Sequence, residues 1–489
     1  MNKAFRIVYS ALFFTALAAP LCLMPFIKPD TDIEKRELAK APSLIEDGSI
    51  NTQFSEQAEA WYNDRLPLRS KLLEGASFIK GEVFGAQSGN VIPGKDGWLF
   101  YESTVADHMD TKALSERQIS SIAVSIGLVE EKAKAMGGRF LFVPMPNKSA
   151  VYPEYMPVWY THADENNYTR LADKLKSMGV SFLDMKEVLT SNKDMGLYHK
   201  RDTHWNYLGA LVGYNAMMDA LGKEHKTYDS ASYTITNDWV GDLEKLLYPS
   251  DPGYDEQYRF DIEYDDFNFL MPPTAKDTKK SLEVFMSDLE QNDIRIKTQK
   301  TAKTGQGDLY MIRDSFGRAL LPFMIDNYDT AMFERRTTPN MSLMPQGGDL
   351  IFEIVERNLG SLLYSVPVMA APLREVTDFT GDYAADGNAA FSADEQNGVR
   401  VFGTVDDNFL SDDTRVYVRL DGEQSFTFEA FPLVDKDSLK SEGVEDAENG
   451  FSALIEKGSV PDGEYSVSII SNKMKSVELA KIKIEGANE

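Results

Sequence analysis

Two of the chain's five histidines fall within YHKRDTHWNYLGALVGYNAM, residues 198–217, and one of them, His204, follows an aspartate by two positions at the start of a helical pattern. Asp202 and His204 are the residue types of an acid–base relay: the carboxylate fixes one imidazole nitrogen and leaves the other free to take a proton. An oxygen nucleophile would complete it. The single cysteine, Cys22, lies in an apolar amino-terminal run, so the rest of the chain has no thiol nucleophile, no disulfide and no cysteine metal site. In LYMIRDSFGRALLPF, residues 309–323, Ser315 follows an apolar strand and opens a helix-like segment. That placement lifts a hydroxyl above a sheet edge and offers first-turn N–H groups to an oxyanion. Asp202, His204 and Ser315 together would serve nucleophilic acyl transfer or hydrolysis. Plainer readings stand beside this one: Asp-x-His recurs by chance, and Ser315 or Asp314 at a helix start is an ordinary N-cap.

VPMPNKSAVYPEYMP, residues 143–157, is a third stretch with chemistry in it. Asn147 and Lys148 sit just past a buried strand. Asn147 would give a side-chain oxyanion donor, and Lys148 would hold an anionic group or pair with Glu154; the alternative is a Pro-bounded polar loop. Trp205, Tyr152 and Trp159 suit stacking on sugar rings, or packing. His199 and His204 are five apart, a poor spacing for two ligands on one helical face, and DDNFLSDD (406–413) lacks the ligand spacing and glycine of an EF-hand loop. No metal and no cofactor is expected.

The elements that must position these residues alternate. A strand–turn–strand is predicted over 91–101, a helix over 115–137, a buried strand over 139–146, a helix over 168–179, a strand over 180–185 and a helix over 206–221. An irregular acidic insertion is expected over 222–300, then strands from 308 and 348 that run into helical turns. This is the pattern of an α/β domain with a mostly parallel sheet, in which chemistry gathers where strands end. From about residue 366 the texture changes to short alternating strands separated by Gly, Asp and Asn, as in a β-sandwich. The expected organisation is an apolar segment over 1–27, a polar linker over 28–50, the α/β domain over 51–365 and the sandwich over 366–489.

Charge narrows the partners. With 51 basic against 77 acidic residues the net charge is −26, which argues against nucleic acid and against whole-surface binding of a polyanion, although a local basic groove would escape that rule. The sandwich region holds about 25 acids and about 11 bases, roughly half of that charge. At the amino terminus, IVYSALFFTALAAPLCLMPFI follows Lys3 and Arg6 and is long enough to span a bilayer. We expect export to a bacterial periplasm, with the segment kept as an inner-membrane anchor in preference to cleavage near Pro20.

YHKRDTHWNYLGA, MIRDSFGRALLPF and VPMPNKSAVYPEYMP, with VIPGKDGWLFY and DLIFEIVERNL, resemble the bacterial alginate O-acetyltransferases (AlgX/AlgJ-like), exported proteins with an SGNH-hydrolase-like domain. The resemblance covers roughly residues 50–365, and the motifs occur in the family's order, Asp-x-His ahead of Asp-Ser-Phe. It implies Ser315 as the acyl-accepting nucleophile, His204 as the base and Asp202 as the orienter, with Asn147, Lys148, Trp205 and Arg313 as candidates for oxyanion or substrate contacts. Arg313 stands where the usual hydrolase motif has glycine. The resemblance also implies a polysaccharide acceptor, a membrane-bound O-acyltransferase as acetyl donor, and a carbohydrate-binding counterpart for residues 366–489. An acetylesterase and a non-catalytic scaffold of a polysaccharide assembly remain as alternatives.

Overall fold

The computed structural model describes residues 40–46, 49–51, 53–65, 89–228, 232–271, 294–375, 389–394, 398–405, 410–434, 448–471 and 474–484. The expected anchor over 1–27, most of the linker and part of the acidic 406–413 segment lie outside them. Among the described residues, no helix is long and apolar enough to cross a membrane.

Six strands make the central sheet: β1 (Arg139–Met145), β2 (Phe267–Met271), β3 (Arg295–Lys300), β4 (Asp308–Arg313), β5 (Thr330–Arg335) and β6 (Asp349–Val355), in the spatial order β1-β6-β4-β5-β3-β2. The first four in that order pair in parallel, and β3 and β2 add antiparallel at one edge. The sheet is therefore mixed, and the stretch expected as an insertion supplies two of its strands. Residues 180–185 do not form the predicted strand. Phe182 makes a single parallel bridge to Phe142, and Asp184 then caps a helix over Met185–Ser191.

Helices cover both faces. Ser115 and Gln118 close a capping box at the start of α1 (Glu116–Ala135), and Asn166 and Thr169 do so for α2 (Asn167–Met178). These two pack with Phe140, Tyr310, Ile312 and Phe352 on one face of the sheet. On the other face α3 (Tyr207–Ala220) packs with Leu141, Val143, Met311 and Phe333. Both cores use alternate residues of the same strands, as the pleat requires. The turns that follow β1, β4 and β6 at their carboxyl ends carry Asn147–Lys148, Ser315 and Glu356–Arg357.

Beyond residue 388 lie two four-stranded antiparallel sheets, one of Ala389–Asp394, Gly398–Thr404, Gly450–Glu456 and Phe431–Leu433, the other of Ser425–Glu429, Val416–Asp421, Gly463–Ser471 and Met474–Ile484. Val401, Phe451 and Ile455 of one meet Val418, Leu420 and Val467 of the other in a shared core, the packing expected of a β-sandwich. Phe431 and Val434 instead join the core beneath α1. Arg117 donates to the Thr414 carbonyl at 2.6 Å, and Arg374 bridges Glu131 of α1 and Glu429.

Candidate active site

Ser315 lies two residues past β4 and caps a 3-10 turn over Phe316–Leu320, with a φ of −70°. Its Oγ donates to His204 Nε2 at 2.8 Å, and His204 Nδ1 donates to Asp202 Oδ1 at 2.7 Å. The three candidate residues, with His204 and Ser315 111 positions apart, thus form one continuous relay. Ser315 and His204 are partly exposed and Asp202 is buried, so the reacting end faces solvent and the orienting end does not.

The chain holds the relay from several sides. Asp202 Oδ1 also accepts the His204 backbone N–H at 3.0 Å, a local bond that the two-residue spacing makes available. Its Oδ2 accepts the Trp239 indole N–H at 3.0 Å and the Asp242 backbone N–H at 3.1 Å. Gly241 permits that approach, because a Cβ there would stand 2.0 Å from the Arg201 carbonyl oxygen and 2.9 Å from the Asp202 nitrogen. On the nucleophile's side, Asp314 accepts the N–H groups of Phe316 and Val355 at 2.8 Å each and donates its own N–H to Glu353. The Phe316 N–H, a donor expected to face an oxyanion, is therefore engaged by Asp314.

Burial works against charge on both members of the pair. For Asp202 the hydrogen bond and charge of His204 overcome it and hold the carboxyl well below the usual carboxylate range. For His204 burial opposes the proton, but the Asp202 hydrogen bond and charge prevail and raise the imidazole above its ordinary value. His199 is pushed down to about 4 by burial and lies neutral against Trp239, with ring centroids 4.9 Å apart. Among the described residues, ligand atoms of Asp202, His204 and Asp242 all lie within 4.8 Å of one another and could hold a metal ion. Their hydrogen bonds account for them without one: Asp242 takes the Thr203 N–H and hydroxyl at 2.7 and 2.6 Å, and Asp202 takes the four donors above.

Residues 91–258 match the family model described as "SGNH hydrolase-like domain, acetyltransferase AlgX". The probable alginate O-acetylase AlgJ of Pseudomonas aeruginosa is 24% identical over 214 residues, 42% of this chain and 53% of the relative. Its counterpart in Pseudomonas putida is 21% identical over 210 residues. Over these residues the chain is similar to the AlgX/AlgJ-like proteins. It spans about half the length of the curated AlgJ relatives it matches. Among solved structures, PatB1 of Bacillus cereus aligns at 18% identity with a TM-score of 0.44, over 56% of this chain and 97% of that one. The O-acetyltransferase domain of Pseudomonas putida AlgJ aligns at 15% identity with a TM-score of 0.35, over 55% and 92%.

The remaining candidates lie behind the relay. Asn147, Lys148, Trp205 and Arg313, expected as oxyanion or substrate contacts, are 1%, 4%, 2% and 0% exposed. Asn147 donates through Nδ2 to Asp107 and through its backbone to Glu356. Lys148 donates to backbone carbonyls of the Asp202 loop and not to Glu154, which pairs with Lys193. Trp205 donates to the Phe316 carbonyl at 3.0 Å and packs its ring on Gly213. Arg313 donates to the Asp314 carbonyl beneath the serine turn. Tyr152 is buried against Trp98, whereas Trp159 is 55% exposed and open to stacking. Trp239, Asp242 and Gly241 were not foreseen, because they come from the segment read as irregular. Replacing Trp239 by Phe keeps a ring against His199 and removes one donor from Asp202. A hydrogen bond to a charged group is worth about 1.5–3 kcal/mol, so acetyl-ester turnover should fall about tenfold with the fold intact, read by steady-state kinetics beside circular dichroism.

Proposed function

We propose that this protein transfers acetyl groups to hydroxyls of an exported bacterial polysaccharide through an acetyl-Ser315 intermediate. The unbroken Asp202–His204–Ser315 relay, 2.7 and 2.8 Å in its two links, carries the reading. Ser315 Oγ attacks the acetyl carbonyl carbon while its proton passes to His204 Nε2. The C–O bond to the donor breaks, and the leaving oxygen takes that proton. A sugar hydroxyl then gives its proton to His204 and attacks the acetyl-serine, which forms the new ester and restores the serine. Water in place of the sugar would make the protein an esterase. The relatives' names, alginate O-acetylases, favour a polysaccharide acceptor. A pure scaffold would have no use for such a relay.

Location and partners belong to the same proposal. The apolar segment ahead of residue 28 would hold the protein at the outer face of the inner membrane, beside a membrane-bound O-acyltransferase that passes acetyl groups outward. The deciding experiment offers p-nitrophenyl acetate with a panel of oligosaccharides and reads the products by mass spectrometry. Acetylated sugar supports transfer; acetate alone, whatever the acceptor, overturns it in favour of hydrolysis.

The relay also sets a pH profile. His204 accepts a proton only when neutral, and its pKa is raised. Activity should therefore rise as pH climbs through a value above the ordinary imidazole value of about 6.5. The pH dependence of kcat/KM checks this, and an acid limb below that value would contradict it.

Arg357 gives the site a local cation despite the overall charge of −26. Its guanidinium carbon lies 5.5 Å from the Phe316 ring centre and 5.9 Å from that of Tyr101, and Phe316 is 4.9 Å from the His204 ring. A carboxylated acceptor would find its counter-charge there. Arg357→Gln should lower the preference for a uronate oligosaccharide over its methyl ester about fivefold at low salt, the scale of a partly screened ion pair, a ratio in which any common effect on the relay cancels.

A further inference from the structure

Lys148 follows the end of β1 and begins the short helix Lys148–Val151, with its side chain almost wholly enclosed. Its ammonium donates to three backbone carbonyls of one loop: His199 at 3.1 Å, Lys200 at 2.9 Å and Asp202 at 2.6 Å. Three carbonyls turned toward one point are what a bound cation collects, and a lysine ammonium has three donors to match. The rings of Trp98 and Phe100 stand 5.6 and 5.3 Å away and close the site with aromatic faces. The Lys200 carbonyl also accepts the Leu99 N–H at 2.8 Å, which ties the loop to the 91–101 hairpin. Unlike a surface lysine, this one touches the chain that immediately precedes His204.

We propose that Lys148 is a positioning residue: its ammonium gathers the 199–202 loop into the shape that delivers Asp202 to His204. The proposal rests on reading Asp202–His204–Ser315 as the catalytic relay. A neutral amine offers two N–H groups to three carbonyls and turns a lone pair on the third, so the loop would relax and Asp202 would lose its alignment. Burial pushes Lys148 down to about 8, against the pull of Asp202, Asp242 and Asp255. Those acids, with the neutral His199, are the titratable groups that act on it from the neighbouring elements. The ammonium is therefore present below about pH 8 and is lost above it.

The test is the pH profile of p-nitrophenyl acetate hydrolysis by the full chain and by Lys148→Met, which keeps the length and removes the charge. The wild type should lose activity as pH rises through about 8. The variant should show kcat lower by about 10–100-fold, the scale of a small misplacement of a catalytic group, with KM nearly unchanged and with no alkaline fall in what remains. A variant that keeps wild-type kcat, or keeps the alkaline fall, overturns the proposal. If Lys148→Met does not fold, proton NMR of the Ser315→Ala protein reads the same event. The downfield Nδ1 proton of His204 should broaden away as pH passes about 8, and its persistence unchanged to pH 10 would overturn the role of Lys148. Because that variant needs no turnover, the NMR result stands apart from whether Ser315 is the nucleophile.

Discussion

Ser315→Ala should abolish acetyl-ester turnover, with kcat lower by about 10⁴–10⁶. The hydroxyl is the atom that His204 faces at 2.8 Å, and the described geometry around it has no second oxygen nucleophile bonded to that imidazole nitrogen. His204→Ala should cost about as much, because the serine then has nowhere to send its proton. Asp202→Ala should cost less, since it leaves a base and a nucleophile that meet less often in the right tautomer. The double variant Ser315→Ala/His204→Ala should be no worse than either alone, as expected of residues that act as a unit. Ser315 is partly exposed at the end of a strand, so melting temperatures should stay close to wild type. Intact-mass measurement after rapid mixing with p-nitrophenyl acetate should show one added acetyl group on wild type and none on Ser315→Ala. Wild-type turnover in the alanine variant would remove Ser315 from the mechanism.

Gly241→Ala should also be strongly damaging, although less so than loss of the serine and although residue 241 is not a member of the relay. A methyl there would meet the Arg201 carbonyl oxygen at 2.0 Å, its carbon at 2.4 Å and the Asp202 nitrogen at 2.9 Å. All three are backbone atoms, so no side chain can swing aside. The segment carrying Trp239 and the Asp242 N–H must back away, and Asp202 Oδ2 loses two of its donors in one step. A displacement of about 1 Å in a catalytic group costs on the order of 100-fold, and kcat should fall by at least that much while KM changes little. Trp239→Phe removes one donor without moving the backbone, so it is the milder control. If Gly241→Ala matched wild type, the approach of this segment to Asp202 would have no catalytic weight.

Asp202, His204 and Ser315 were legible in the sequence because their signals are local. An Asp two residues before a His can bond both the ring and the backbone of that His, and a serine after an apolar strand needs no distant partner to be noticed. The partners of Lys148 were not legible. They are backbone carbonyls, which every residue carries, so nothing in the sequence marks the ones it meets. Trp239 and Asp242 were missed because their bonds to Asp202 span 37 and 40 residues across a stretch with no clear period. Strand β3 shows why that stretch looked irregular. Its buried face is Ile296, Thr298 and Lys300, so alternation is present in burial but not in hydrophobicity. The predicted strand over 180–185 failed for the opposite reason: VSFLD has strand-like composition, but the Asp184 side chain accepts the Glu187 N–H and commits the chain to a helix.

Phe431 and Val434 belong by sequence to the carboxyl-terminal strands and by packing to the core beneath α1. A fragment cut near residue 366 would present these two side chains, 1% and 3% exposed in the whole chain, to water, and it would also leave Arg374 without Glu131, one of its two carboxylate partners. Such a fragment would be adhesive in solution, prone to self-association through a bare apolar strip that is not a natural docking surface. Conversely, the intact chain should melt in one calorimetric step, because its last strands cannot come undone without opening the hydrophobic seam under α1.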